Sequence, residues 1–469
     1  MTKLNELTLK EALAGLQSQA FSAYALTQAC LARIADRDAE LKAFVTVVAE
    51  SALAQAEAAD RTIAALGPEA FAAQPLLGIP YACKDNFSTK GIRTTASSRM
   101  LANYIPPYES TVTQKLHQAG AVLLGKTNMD AFAHGSSTET SDFFNTKNPH
   151  DPTRSPGGSS GGSACAVAAN MCTFAIGSET AGSLRGPASW CGIVGFKPTY
   201  GRVSRYGLIA MASSTDSPGP LTKTVYDSAY VLNVLAGIDP LDATTSPLPT
   251  VDYLPTALPS LKGIKLGRPA SYFDLDLEPA VKKQADSFVA ALKRLGAEIV
   301  ELELLAPKYA MAVYTVIQRS EVSSNLARLD GIRYGNNRTQ FGAEAKNRMM
   351  LGAYTLSAGY YDEYYTKAQQ VRTLLVDDFT RAFAKVDLVV APAMPCTALP
   401  LGASQSSPMF GELMDVLAEP SAVAGLPAIA IPCGVDDKQL PIGMQFIGPQ
   451  FSEQKLSAVA NHLEVACTY

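Results

Sequence analysis

The stretch SPGGSSGGSACAVAAN, residues 155–170, sets four glycines around Ser159 and Ser160 and then passes into small apolar residues. A flexible glycine–serine linker would not run directly into a pattern that begins a helix near Ser163. The pattern instead predicts a glycine loop that presents backbone N–H groups and serine hydroxyls at a helix N-terminus. Phosphate binding is the competing use of such a loop, but the G-x-x-x-x-G-K-[ST] spacing is missing, which disfavours it.

A second cluster follows at residues 177–204, GSETAGSLRGPASWCGIVGFKPTYGRVS, directly after a predicted strand. Ser183 ends its small-residue turn TAGS. A serine on such a tight turn leaves its own and neighbouring N–H groups free to point at one developing oxyanion, as acyl transfer requires. Taken alone, however, the cluster fits a structural serine equally well.

A serine nucleophile needs a base to remove its proton. Histidine is the usual base, yet no histidine of this chain stands in a context that suggests a catalytic triad; the four are His117, His134, His150 and His462. A lysine can serve when burial lowers its pKa enough to populate the neutral amine. Lys84 is the best candidate, because GIPYACKDNF (78–87) sets it in an apolar stretch where an ordinary lysine is uncommon. The residues alone leave the base open.

Short apolar runs alternate with helical patterns from residue 76 onward. The runs predicted as buried strands are 121–125, 173–177, 264–267, 298–304, 388–392, 428–432 and 444–448. Helical patterns at 278–295 and 360–383 lie between them. This alternation predicts an α/β protein with a mixed, largely parallel sheet that helices cover on both faces.

The first 70 residues are predicted to be helical. Apolar residues recur every four positions after Ser22, which fits an N-cap. Residues 44–66 are rich in alanine and predict a second helix that ends near a Gly-Pro pair. The proline-rich stretch 239–259 predicts a linker or a surface loop.

Composition excludes several classes of function. The 469 residues are 47% hydrophobic and carry a net charge of −4, which disfavours an electrostatic grip on nucleic acid or on an anionic membrane. Any RNA contact is therefore expected of a partner. The length is compatible with two or three domains or with one large α/β domain.

The cysteines predict a reducing environment. They are scattered through apolar segments without a C-x-x-C pair, at Cys30, Cys83, Cys165, Cys172, Cys191, Cys396, Cys433 and Cys467. A zinc site is disfavoured and buried free thiols are expected.

Neither a signal-peptide core nor an apolar run near the roughly 20 residues of a membrane helix is present. We expect a soluble intracellular protein.

Three segments together resemble the amidase signature family. GIPYACKDNF is similar to that family's lysine motif, GGSSGGSA matches its glycine–serine loop residue for residue, and residues 178–204 resemble its nucleophile segment. The separations agree as well, with 75 residues from Lys84 to Ser159 and 24 from Ser159 to Ser183. Three motifs in this order and spacing are far more specific than any one of them.

The resemblance implies a fold and a domain organisation. The fold is a single large amidase-signature α/β domain, with a mixed central β-sheet covered by helices on both faces. That domain would span residues 71–469. Residues 1–70 would form an N-terminal helical segment packed on its core, so that 1–469 act as one functional domain.

The resemblance also implies a Ser–cis-Ser–Lys triad. Ser183 would be the nucleophile, Ser159 the bridging serine in a cis peptide, and Lys84 the base. Neutral Lys84 would draw a proton from Ser159, which would in turn deprotonate Ser183. The oxyanion would be stabilised by the backbone N–H groups of Thr180, Ala181, Gly182 and Ser183. No metal or cofactor is expected in this chain.

Within the family, the resemblance is greatest to the glutaminase subunits of tRNA-dependent amidotransferases, and it covers nearly the whole chain. It rests on stretches such as SSNLARLDGIRYG and LGAYTLSAGYYDEYYTKAQQVR. Residues that hold glutamine in those subunits are similar to Tyr314, Arg348 and Asp415. An arginine fork suits the α-carboxylate of free glutamine, and an aspartate suits its α-ammonium group.

Partners follow from the same resemblance. Ammonia would pass through a channel to a B-type subunit, which would bind the tRNA and use ATP and Mg²⁺ to activate tRNA-bound glutamate or aspartate. A small C-type subunit would clasp the assembly, in the cytoplasm or an organellar matrix. The alternative is a free-standing amidase for a small aliphatic or aromatic carboxamide, which has no charges for Arg348 and Asp415 to bind. An inactive scaffold is a third possibility, against which the intact triad argues.

The chain departs from the family beside the nucleophile. Glu179 stands where aspartate is usual, Ala181 where glycine is usual, and Gly186 where glutamine is common. A Cβ at position 181 is expected to clash in the oxyanion turn or to require a less accessible φ. Further departures are Ala131, His134 and a shortened segment between Tyr334 and Phe341.

Overall fold

Eleven strands form one mixed sheet in the computed structural model, which describes residues 3–333 and 335–466. In chain order they are β1 (Phe44–Val47), β2 (Pro80–Lys84), β3 (Val122–Thr127), β4 (Phe174–Glu179), β5 (Val194–Lys197), β6 (Ser217–Thr222), β7 (Lys265–Pro269), β8 (Glu298–Leu302), β9 (Leu388–Pro392), β10 (Ala428–Val435) and β11 (Pro441–Ile447). Their order across the sheet is β1-β3-β2-β4-β6-β5-β10-β11-β9-β7-β8. All seven predicted strands are present.

The sheet is mixed as predicted, but the expectation that it is largely parallel is wrong. Parallel pairing joins β2 to β3 and β4, and β7 to β8 and β9. The other six neighbouring pairs are antiparallel. One physical reason is loop length, since β10 and β11 are joined by a turn too short for the crossover that parallel strands need.

Helices cover the sheet. They are α1 (Leu9–Gln17), α2 (Ala23–Leu41), α3 (Ala49–Leu66), α4 (Ala70–Ala73), α5 (Thr111–Gln118), α6 (Gly161–Ala168), α7 (Arg185–Cys191), α8 (Val225–Leu235), α9 (Ala270–Phe273), α10 (Pro279–Arg294), α11 (Pro307–Leu326), α12 (Ala343–Thr355), α13 (Lys367–Phe383), α14 (Phe410–Asp415), α15 (Glu419–Val423) and α16 (Glu453–Ala466). Every residue of β2, β3, β4, β6, β9 and β11 is buried. Because successive side chains of a strand point to opposite faces, both faces of the sheet are covered.

The N-terminal region differs from its prediction in one respect. Residues 44–47 form β1, antiparallel to β3, instead of the start of a helix, so residues 1–70 are not wholly helical. Phe44, Val45 and Val47 favour a strand, and α3 begins only at Ala49. The predicted N-cap is confirmed, since the Ser22 side chain accepts a hydrogen bond from the Ala25 N–H.

The proline-rich segment agrees with what the sequence predicts. Residues 239–259 form a surface loop packed on the body, with Tyr253 fully buried and Arg202 donating to the Leu248 carbonyl. The shortened segment contains a single 3₁₀ turn at Arg338–Gln340, while Tyr334 lies outside the described residues. A π-helical turn at Asp362–Thr366 precedes α13.

The cysteines of the described ranges are free thiols, six of them buried and Cys396 half-buried. Cys467 lies outside those ranges. Among the residues that the structure describes, histidine, cysteine and acidic side chains form no cluster that could hold a metal ion. In the same part of the chain, no helix combines the length and the apolarity needed to span a membrane.

The topology brings three chain segments to one edge of the sheet. Because β2 pairs in parallel with both β3 and β4, their carboxyl ends meet at the same edge. The first turn of α6 lies there too, where Gly162 N–H donates to the Asn128 carbonyl just after β3. Such an edge is where open α/β sheets place their ligands.

Candidate active site

Lys84 ends β2 and is completely buried. Its Nζ donates to Ser159 Oγ at 2.8 Å, to Ser160 Oγ at 2.8 Å and to the Ser178 carbonyl at 3.0 Å. All three acceptors are neutral. Burial therefore lowers the pKa of Lys84 to about 7, even though more distant carboxylates such as Asp130 oppose the shift. A neutral amine is thus accessible at physiological pH.

The glycine loop allows backbone to approach backbone around Ser159. The peptide bond between Gly158 and Ser159 is cis, as the resemblance implies. A Cβ at Gly158 would overlap the Asp130 carboxylate, and one at Gly162 would overlap the Asn128 carbonyl. The glycines are therefore required by close packing, which explains why a glycine-rich loop stands inside apolar sequence.

Ser183 lies in the turn between β4 and α7 and is only 3% exposed. Its carbonyl accepts a hydrogen bond from the Ser160 N–H at 3.3 Å, which joins the nucleophile turn to the glycine loop. Within the described ranges, the N–H groups of Thr180, Ala181, Gly182 and Ser183 donate to no protein acceptor. They are available to an oxyanion, in keeping with the predicted role.

The departures from the family are accommodated locally. Ala181 does not have a positive φ, and its methyl group packs in an apolar cluster that includes Met129 and Met211, so the expected clash at this position is wrong. The position that tolerates no Cβ is Gly182, where it would overlap Asp415 Oδ1. A Cβ at Gly186 would meet Met394 Sδ at 3.1 Å, which leaves little space for a longer side chain.

The buried ion pair between Glu179 and Arg185 stabilises the nucleophile turn. Glu179 Oε2 accepts hydrogen bonds from the Leu184 and Arg185 N–H groups at 3.1 and 3.2 Å. Its other oxygen binds the Arg185 guanidinium, and both side chains are 0% exposed. Arg185 Nη2 also donates to the carbonyls of Ala181 and Ala418, each at 3.0 Å. Arg185 therefore connects the nucleophile turn to the segment that follows Asp415.

One narrow cavity brings together Ser183 and the three predicted glutamine-binding residues, Tyr314, Arg348 and Asp415. Its volume is about 10 Å³, room for about one water molecule. Four segments distant in sequence supply these side chains, from the β4–α7 turn, α11, α12 and α14. Arg348 also lines an adjoining pocket of about 380 Å³.

One carboxylate oxygen of Asp415 is placed to bind a positively charged group. Its Oδ2 accepts a hydrogen bond from Ser136 Oγ at 2.7 Å, whereas its buried Oδ1 has no partner within the described residues. Burial raises the pKa of Asp415 to about 8. A cation beside it would stabilise the ionised carboxylate and supply the missing partner.

Arg348 stands in a network of charges. Its Nε donates to Glu344 Oε1 at 2.5 Å, four residues earlier on α12. Its Nη2 lies 3.9 Å from Glu412 Oε1, and Glu412 pairs with Arg319 Nη2 at 2.8 Å. The guanidinium at the cavity wall is thus already in contact with carboxylates of the chain itself.

Sequence reasoning missed Ser136, Glu344, Glu412 and Arg319. The spacing of Glu344 and Arg348 is a readable signal, because residues four apart share one helix face. No sequence signal pointed to Ser136, because its partner Asp415 is 279 positions away. His134, which the sequence did not predict as a site residue, is fully buried at the adjoining pocket, and burial together with Arg348 and Arg319 lowers its pKa well below the usual value. No histidine lines the Ser183 cavity.

Comparison with known proteins places this geometry in context. The amidase family profile matches residues 25–456. The A-type subunit of the glutamyl-tRNA(Gln) amidotransferase of Synechococcus sp. (strain RCC307) is 49% identical over 455 residues, which cover 94% of this chain and 93% of that protein. The crystal structure of the corresponding A-type subunit from Thermotoga maritima is 39% identical with a TM-score of 0.84, covering 100% and 96% of the two chains. The peptide amidase from Stenotrophomonas maltophilia is 30% identical with a TM-score of 0.82, covering 98% and 96%.

Proposed function

This chain belongs to the amidase family, and on that premise we propose that it is the glutamine-hydrolysing, A-type subunit of a glutamyl-tRNA(Gln) amidotransferase. One observation carries the proposal. A single cavity joins Ser183 to an arginine and to an unpartnered aspartate oxygen, the two groups that recognise a free α-amino acid. Relatives with that name, nearly half identical over almost the full chain, support it.

The proposed reaction begins at Lys84. The neutral amine accepts a proton from Ser159, and Ser159 takes the proton of Ser183, whose Oγ attacks the side-chain carboxamide carbon of glutamine. The N–H groups of Thr180 to Ser183 stabilise the resulting oxyanion. The relay then returns the proton to the leaving nitrogen, the C–N bond breaks, and ammonia departs from an acyl-enzyme. Water, deprotonated by the same relay, hydrolyses the ester to glutamate and regenerates Ser183.

Glutamine recognition is assigned to Arg348 for the α-carboxylate, Asp415 for the α-ammonium group and Tyr314 for the body of the substrate. Because burial holds the pKa of Asp415 at about 8, the arriving ammonium group displaces its proton and forms an ion pair. A simple amide lacks both charges. It would leave the buried Asp415 Oδ1 without a partner and would offer Arg348 no substrate carboxylate, at a cost in binding.

The proposal includes partners. A B-type subunit would receive the ammonia through a channel, bind the tRNA, and hold the ATP and Mg²⁺ that activate tRNA-bound glutamate or aspartate, with a C-type subunit clasping the two. The net charge of −4 agrees with a chain that leaves tRNA binding to its partner. No cofactor is assigned to this chain, and we place the complex in the cytoplasm or an organellar matrix.

Ammonia release from glutamine tests the proposal. The purified chain is assayed alone and with B-type and C-type subunits of the same organism, with and without aminoacylated tRNA, and Ser183→Ala serves as the inactive control. We expect hydrolysis of glutamine that the partners and charged tRNA stimulate strongly. Efficient turnover of small aliphatic or aromatic amides by the chain alone, without any turnover of glutamine, would show a free-standing amidase instead.

A further inference from the structure

Arg348, to which the proposed function assigns the substrate carboxylate, already holds a carboxylate of the chain itself. Glu344 Oε1 lies 2.5 Å from Arg348 Nε, closer than any other acid to this guanidinium. Glu344 is in the first turn of α12 and Arg348 is one turn later, so the pair lies along one face of the helix.

The charges around Arg348 balance without a substrate. Arg319 and Arg348 contribute two positive charges, and Glu344 and Glu412 contribute two negative charges. Burial raises the pKa of the neighbouring Asp415 to about 8 and that of Glu419 well above its usual value, so both are counted as neutral before glutamine binds. A substrate carboxylate would add a third negative charge to a cluster that is largely shielded from water, which is unfavourable. One of the two glutamates must therefore give way for the balance to be kept.

Exposure identifies which glutamate can leave. The Glu344 side chain is 32% exposed, whereas Glu412 is 2% exposed and Arg348 and Arg319 are each 6% exposed. Glu344 can turn into water and be solvated there, while Glu412 would have to stay buried. Glu412 is also held by Arg319 at 2.8 Å.

The cavities agree with a movement at this position. Glu344 lines the larger pocket but not the cavity around Ser183, and Arg348 lines both. The cavity around Ser183, about 10 Å³, has room for about one water molecule, so glutamine bound at Ser183 has to extend into the adjoining pocket or displace lining side chains. Arg348 belongs, with Ser136 and Glu412, to the residues that line both spaces, so its release from Glu344 frees one side chain of their common lining.

We propose that Glu344 is a built-in competitor for the substrate carboxylate: it occupies Arg348 until glutamine displaces it, and it returns when glutamate leaves. The exchange replaces one carboxylate by another and keeps the buried charges balanced. It rests on the proposed function, because it takes an α-amino acid amide as the substrate. Substrate and product carry the same α-carboxylate, so Glu344 weakens the binding of both and assists product release.

The test compares Glu344→Gln with the wild-type chain in the complex with its partner subunits. Gln keeps the size and the helix position of the side chain but removes the charge that competes for Arg348. We expect the KM for glutamine and the inhibition constant of glutamate to fall together, each by about fivefold, with kcat within about twofold of wild type. Glu344→Asp, which keeps the charge but shortens the reach, should lie between the two.

A matched control is Glu301→Gln, which removes the same charge from a surface pair with Arg268 far from the site and should change neither constant. A rise in KM in Glu344→Gln would show that Glu344 positions Arg348 for the substrate, and unchanged constants would show that it has no part in binding; either result overturns the inference. Equal constants for Glu344→Asp and the wild type would assign the effect to charge at a distance and also overturn it. A wild-type complex that does not hydrolyse glutamine would instead overturn the proposed function, and this inference with it.

Discussion

At the scale of single residues, the protonation of Lys84 depends on what its amine contacts. A lysine in contact with a carboxylate would be held in its charged form. The contacts of Lys84 Nζ are two serine hydroxyls and a carbonyl, and the carboxylates that influence it lie farther away. Desolvation therefore dominates, and the amine can act as a base near neutral pH.

A pH dependence follows from this environment. Below a pH of about 7 the amine is protonated and cannot accept the proton of Ser159, so kcat for glutamine should fall about tenfold per pH unit on the acid side. Above that value kcat should level off. The measurement is a profile of kcat from pH 5 to 9 at saturating glutamine, which separates Lys84 from the titration of Asp415. A profile that stays flat down to pH 5 would contradict the assignment of Lys84 as the base.

The nucleophile turn supports a second prediction at this scale. Gly182→Ala should lower kcat/KM for glutamine by about a hundredfold, because its Cβ would overlap Asp415 Oδ1 and push the turn away from Asp415, to which we assign the substrate ammonium group. Ala181→Gly is the matched control and should stay within about threefold of the wild type, since Ala181 uses no special φ. Steady-state kinetics of the two purified variants with glutamine measure both changes in kcat/KM. A severe loss in Ala181→Gly would mean that the methyl packing, and not the space at position 182, shapes the turn.

At the scale of elements, the unit formed by β4, the nucleophile turn and α7 is held by the Glu179–Arg185 pair. The Glu179 carboxylate receives the first N–H groups of α7, which have no partners inside the helix. The Arg185 guanidinium holds carbonyls on two segments. The single Glu179 carboxylate thus serves both tasks.

Removal of one partner should therefore be costly. Glu179→Ala leaves the Arg185 charge buried without its counterion, and we expect the free energy of unfolding to fall by about 3 to 5 kcal/mol. Urea denaturation followed by circular dichroism measures the change. Glu301→Ala breaks an exposed pair with Arg268 and should cost no more than about 1 kcal/mol. A similar small loss for both variants would show that the buried pair contributes little to stability.

At the scale of the whole molecule, residues 3–70 are part of the central sheet and its cover. β1 extends the sheet beyond β3, and the carboxylate of Asp227 on α8 accepts hydrogen bonds from the Leu9 and Lys10 N–H groups at the start of α1. This segment contributes buried residues to the same apolar core as the remainder of the chain. It is therefore integrated into the fold.

Truncation tests that integration. A chain of residues 71–469 should be insoluble or strongly destabilised, because it would expose the edge of β3 and the apolar surface that α2 and α3 cover. The full chain should unfold in one calorimetric transition. Solubility on expression and differential scanning calorimetry measure the two outcomes. A soluble, folded 71–469 fragment would mean that the N-terminal segment is an independent unit.

Much of the fold and of the site could be predicted from the sequence, for a local reason. Seven of the strands, the glycine loop, the nucleophile turn and the Ser22 cap rest on short stretches whose side-chain pattern matches a local backbone requirement. The spacing of Lys84, Ser159 and Ser183 supported the resemblance to the amidase signature family. That resemblance implied the roles of these three residues and pointed to Tyr314, Arg348 and Asp415 as substrate-binding residues. The structure brings Lys84 to Ser159, and Ser183 to the other three.

Other features depend on neighbours that no local pattern reveals. The antiparallel majority of the sheet and the strand β1 are set by which segments meet across the sheet. Only the structure shows that Ala181 does not have a positive φ. Only the structure, likewise, places Asp415 Oδ1 where a Cβ at position 182 would overlap it. The lowered pKa of Lys84 and the raised pKa of Asp415 arise from burial among groups that are distant in the sequence, such as Ser136, which lies 279 positions before Asp415. The sequence by itself predicted the triad and the three substrate-binding side chains, whereas tertiary packing alone decided their protonation and their partners, because desolvation and charge act through space and not along the chain.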